Sequence, residues 1–121
     1  MRRTTMLKRV LIGAIATGVL TAFAGTAAAQ DAKVTKGAQV YADQKCSLCH
    51  SIEGKGNAKG ALDGIGTKLK AEEIREWIVN PAKEAAAHKA DRKPPMPAKF
   101  ASLPKDDLDA LVAYLSSLKK K

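Results

Sequence analysis

Apolar residues in this chain recur at helical spacing wherever they recur regularly. Near the C-terminus, Leu108, Leu111, Val112, Leu115 and Leu118 follow the i, i+3, i+4, i+7 rhythm of one helix face. Pro104 marks the start of that helix, Asp106 and Asp107 fall in its first turn, and Lys119 to Lys121 close it, placements that suit the helix dipole. A second helix is expected from Ala71 to Asn80, with Ile74, Trp77 and Ile78 on one face. Pro81 ends or kinks it, because the residue before a proline is pushed out of the α region. A third covers about Thr35 to Lys45 and carries Val40 and Tyr41, while Ala82 to His88 adds a short helical turn. No stretch shows the period-two alternation of a strand, so the expected class is all-α.

The segments between read as loops. Gly54 to Gly66 holds five glycines, at positions 54, 56, 60, 64 and 66, and Asp91 to Pro97 reads "DRKPPMP", polar and then locked by proline. Neither an internal repeat nor a second domain is visible in the 121 residues.

The first 29 residues have a different character. Arg2, Arg3, Lys8 and Arg9 give a basic start, an apolar run follows from Val10 to Ala24, and the segment closes in Ala27, Ala28 and Ala29. That is the layout of a secretory signal peptide cleaved after Ala29, an uncleaved membrane anchor being the alternative. The expected division is therefore a signal peptide, 1–29, and one domain, 30–121. Four of the 21 basic residues fall in the leader, which leaves 17 against 12 acidic ones and a formal charge of +5 for the exported part. Export implies a periplasmic location, an oxidising setting where free thiols do not last, and makes nucleic acid an improbable partner despite the basic pI. It also implies no stable membrane insertion once the signal is gone.

Both cysteines of the chain stand in "KCSLCHSIEG", residues 45 to 54. Cys46, Cys49 and His50 form a C-x-x-C-H run, the pattern of covalent haem attachment. Two thiols three positions apart on a turn can form thioethers to the two vinyl groups of one haem, and the following histidine is carried beneath the ring as proximal iron ligand. A thioredoxin-like site would want a βαβ context, and a structural zinc site four ligands, of which only His88 remains to be added. The exported part has just four aromatics, Tyr41, Trp77, Phe100 and Tyr114, and a chain so small asks for an internal support. A haem would supply it.

With these residues in view, the exported part resembles a class I cytochrome c over nearly all its length. Gly37, Val40 and Tyr41 resemble that family's pattern on the first helix, and Leu111, Tyr114, Leu115 and Leu118 its pattern on the last. "LDGIG", Leu62 to Gly66, resembles the loop below the haem, and "WIVNP", Trp77 to Pro81, the helix before the distal loop. The resemblance implies N- and C-terminal helices crossing around one covalent haem c, with a glycine such as Gly37 at the crossing. It points to Met96, held between Pro95 and Pro97, as the second axial ligand, with His88 as the rival, and it offers Trp77 as a donor to a haem propionate. Where many members have a proline whose carbonyl orients the proximal histidine, this chain has Gly60, which leaves the orientation of His50 less constrained.

Iron held on both faces has no open position, so the chemistry expected is one electron in and one electron out. The expected function is a periplasmic electron carrier rather than an enzyme. Lys45, Lys55, Lys59, Lys93 and Lys99 would present a basic rim to reductases or oxidases with an acidic docking face. The alternatives are a haem-based ligand sensor with an open or histidine-ligated distal site, a haem subunit of a larger redox complex, and a thiol–disulfide oxidoreductase without haem.

Overall fold

The computed structural model describes residues 24–121, so the expected leader lies outside it except for residues 24–29. Five α-helices follow one another: α1 (Ala24–Asp43), α2 (Ile65–Lys68), α3 (Ala71–Val79), α4 (Pro81–Ala87) and α5 (Lys105–Ser117). Three single turns of 3₁₀ helix, at Cys46–Leu48, Ala58–Gly60 and Ala98–Ser102, join them. The all-α expectation holds with one correction. A two-stranded hairpin, β1 (Ser51–Ile52) and β2 (Lys55–Gly56), pairs Ser51 with Gly56 and Ile52 with Lys55. With two residues per strand, there was no room for an alternating pattern to show. Its turn places Glu53 and Gly54 at φ of 50° and 78°, the twist a two-residue hairpin loop needs.

The first helix also differs from its expected range. It begins by Ala24 rather than at Thr35 and ends at Asp43, after which Lys45 turns left-handed at φ 56°. Among the described residues, no helix is long and apolar enough to cross a membrane. The second expected helix is α3, ending at Val79, and Pro81 proves to open α4 at its first position, where a missing N–H costs nothing. Glu73 anchors the start of α3 by accepting the backbone N–H of Lys70 at 2.7 Å.

α1 lies across α5, and Gly37 makes the approach close. A β-carbon at that position would overlap the carbonyl of Ala110 and stand 2.5 Å from the β-carbon of Tyr114. Around the crossing, Tyr41 meets Tyr114 edge to face with centroids 5.9 Å apart, and Lys36 pairs with Asp107 at 2.9 Å. The far end of α5 is fastened to α2. The N–H of Gly66 donates to Leu118 O (2.9 Å), Lys119 Nζ donates to Gly66 O (2.7 Å), and the N–H of Lys120 donates to Thr67 Oγ1 (2.8 Å). α3 packs on the side of α5, where Arg75 reaches Asp109 at 2.5 Å and Lys105 reaches its other oxygen at 2.6 Å.

Val40, Ile74, Ile78, Phe100, Leu108, Leu111, Val112 and Leu115 form the buried cluster. Every one comes from α1, α3, α5 or the turn before α5, so the three long helices enclose it.

Two outcomes follow for stability. Gly37→Ala gains about 1 kcal/mol of helix propensity, yet the overlap is with backbone and no rotamer relieves it. The net expected is a loss of about 1–3 kcal/mol in denaturant unfolding. The second concerns acid. Lys105 first, then Arg75, hold Asp109 down from an ordinary 3.8 to about 2. Its ionised form therefore contributes stability that is complete above the ordinary value and drains away as pH falls toward about 2. Asp109→Asn should flatten that part of the stability curve, measured by thermal unfolding across the acid range.

Candidate functional site

The C-x-x-C-H residues sit where α1 gives way to the first 3₁₀ turn. The left-handed Lys45 turns the chain, and the N–H groups of Cys49 and His50 both bond Cys46 O, at 3.1 and 2.9 Å. The glycine-rich stretch then folds back and pins this loop. The N–H of Asn57 donates to Ser47 O and His50 O, its Nδ2 donates to Leu48 O at 3.3 Å, and the N–H of Leu62 donates to Ser51 O at 2.8 Å.

That return also sets the histidine. His50 Nδ1 lies 3.0 Å from Gly60 O. A carbonyl can only accept, so Nδ1 carries the proton and Nε2 keeps its lone pair. Burial first, and the nearby Arg92 charge as well, pull the imidazole below its ordinary pKa, against the opposing effect of the Gly60 carbonyl. The ring is thereby kept neutral, the form a metal requires. The carbonyl of Gly60 fills the orienting role even though the proline is missing.

His50 and Cys46 open onto a cavity of about 350 Å³ inside the helical frame. Its walls are Leu62, Ile65, Leu69, Ile74, Ile78, Phe100, Leu111 and Leu115, with Met96, Trp77, Tyr41 and His88 among the remaining lining residues. The core thus surrounds this hollow. Cys49 is half-buried one turn on from Cys46, and the two thiols are not joined. Met96 is half-buried on the same cavity, arriving from the proline segment. Trp77 shares it, its ring tilted 30° against His88 at 5.5 Å. His88 is exposed, ends α4 and lies 3.4 Å from Glu84, so this rival of Met96 stands at the cavity rim.

Two features of the site were not read from the sequence. Arg92 donates from Nη2 to Cys49 O. The hydroxyl of Tyr41 is buried without a protein partner, and burial lifts its pKa to about 12. The sequence places Tyr41 on the first helix and Arg92 in a polar loop, and only the folded arrangement reveals the orphaned hydroxyl and the bond to Cys49.

A family model described as Cytochrome c matches residues 34–119. The chain belongs to the cytochrome c family. No match was found among curated proteins or among solved structures. Membership brings with it a covalently bound haem c and electron transfer as the general activity.

The residues present fit that group. An apolar hollow opens beside a thiol and a neutral imidazole, and an orphaned buried hydroxyl borders it. Burial also pushes the Cys46 thiol up, the reverse of what an activated disulfide-exchange cysteine needs. Among the described residues, no group of three or more His, Cys, Asp or Glu side chains gathers to hold a bare metal ion.

The double change Cys46→Ala, Cys49→Ala tests whether these two thiols hold the haem. The protein is expected to lose its cooperative thermal transition while keeping part of its helical circular dichroism, as monitored by near- and far-ultraviolet spectra.

Proposed function

We propose that this cytochrome is an exported, periplasmic one-electron carrier, released from its signal peptide after Ala29. One haem c would be joined by Cys46 and Cys49, with His50 and Met96 as its axial ligands. The observation that carries the reading is the His50–Gly60 hydrogen bond, which frees Nε2 on a cavity that also receives Met96.

When bound, the haem supplies a metal centre that gains and loses one electron. The chain's part is to keep everything else still. Gly60 holds the imidazole, Pro95 and Pro97 stiffen the approach of Met96, and the apolar wall from α3 and α5 keeps water away. A thioether opposite the imidazole favours the reduced state relative to a second histidine, and two fixed ligands leave no position for oxygen or substrate. This is the work of a carrier rather than of an enzyme. Trp77 borders the cavity and would serve as the donor to a propionate.

Lys45, Lys55, Lys59, Lys93 and Lys99 are all exposed, and Leu48, between the two cysteines, is 70% exposed. Exposed lysines together with an exposed leucine suit brief docking with acidic redox partners, more through encounter rate than affinity. A second reading, a ligand sensor with His88 in place of Met96, draws on the position of His88 at the cavity rim beside Trp77.

Met96→Ala separates the two. The carrier reading expects a lower reduction potential, loss of the weak red ferric band of methionine ligation, and new affinity for carbon monoxide and cyanide. An unchanged potential would remove Met96 from the iron.

A further inference from the structure

The segment 91–97, which brings Met96 to the cavity, contains Pro94, Pro95 and Pro97 and so has few backbone donors. Among the described residues, the side-chain hydrogen bond that ties it to a distant part of the chain runs from Arg92 Nη2 to Cys49 O. Cys49 directly precedes His50, so this bond spans from the distal segment to the attachment loop. The guanidinium lies against Gly60, where a β-carbon would overlap both Arg92 Nη1 and Cys49 O. Gly60 is also the residue whose carbonyl receives His50 Nδ1.

We propose that Arg92 is a positioning residue that latches the Met96 segment onto the His50 loop, in a slot that only glycine at position 60 leaves open. The proposal rests on the reading of His50 and Met96 as the axial pair. Proline removes flexibility from the segment but supplies no attachment, and a charged donor on a half-buried carbonyl supplies it. In this account the exchange of proline for glycine at position 60 is not a loosening. The carbonyl still orients the histidine, and the space gained admits the arginine of the Met96 segment.

With the latch cut, the segment opens more often and the distal face of the iron is free for a larger fraction of time. The apparent affinity of an added ligand rises in proportion to that fraction. Imidazole titrated into the ferric holoprotein, followed in the visible spectrum, reads it directly. Arg92→Gln is expected to bind imidazole about tenfold more tightly than the wild type, the fold-change that loss of a charge-assisted hydrogen bond brings. Arg92→Lys, which keeps the charge and a single donor group, should fall between. Gly60→Ala keeps the charge but closes the slot, and should move the affinity in the same direction as Arg92→Gln, which carries the test should Arg92→Gln not fold. Lys89→Gln, an equal loss of charge three residues earlier, should match the wild type.

Wild-type affinity in both Arg92→Gln and Gly60→Ala would overturn the latch, as would an equal rise in Lys89→Gln. A wild-type ferric spectrum lacking the methionine band would instead defeat the ligand assignment. The spectrum of the unmodified protein thus tells the two failures apart.

Discussion

The contact between α1 and α5 at Gly37 is the constraint from which the remainder follows. Backbone meets backbone there, and the spacing of the two helices leaves no adjustable side chain between them. Everything attached to either helix inherits its place. The attachment turn leaves the end of α1, so its distance from the apolar face of α5 is settled by the crossing. α3 and α2 then pack on α5 through Arg75 and Gly66, completing a frame around a hollow rather than around a filled core. A frame of this type is stable to the extent that its contents are, which makes covalent capture of a cofactor a structural matter as much as a functional one.

The loop chemistry complements that frame. Between residues 50 and 62 the chain makes a hairpin, a 3₁₀ turn and a return, and its hydrogen bonds converge on the backbone of Ser47, Leu48, His50 and Ser51. This is short-range wiring with little apolar burial of its own. It converts a flexible composition into one fixed carbonyl, that of Gly60, at hydrogen-bonding distance from an imidazole. Neutrality of the ring and direction of its free nitrogen come from the same bond.

The elements visible in the sequence were those with a repeating pattern. α3 stands within a residue of its expected ends, and α5 starts one residue after Pro104 but stops at Ser117, short of Lys119 to Lys121. Five apolar residues mark the face of α5 and three that of α3, and proline sits beside each. Gly37, Val40, Tyr41 and Tyr114 occupy the crossing as the family resemblance implied. What escaped had no pattern to offer. A strand of two residues cannot alternate, the described part of α1 before Thr35 carries no apolar repeat, and Pro81 can equally close one helix or open the next. At the site, Cys46, His50 and Met96 stood out in the sequence because their chemistry is rare in the exported part, and the structure shows that all three border one cavity. Arg92 was not, for an arginine in a polar loop looks like any solvated charge until its neighbour 43 residues away is known.

That α1 and α5 close on one another also fixes an order of events along the chain. Residue 37 finds its partner at residue 110, and the last lysines fasten α2. The attachment motif, residues 46–50, is therefore made long before the helix that will wall it in. Until the final dozen or so residues arrive, the two cysteines and the histidine stand on an open chain with no lid. Long-range pairing of this kind makes folding wait for the C-terminus, and the turn at residues 46–50 stays accessible until α5 has docked.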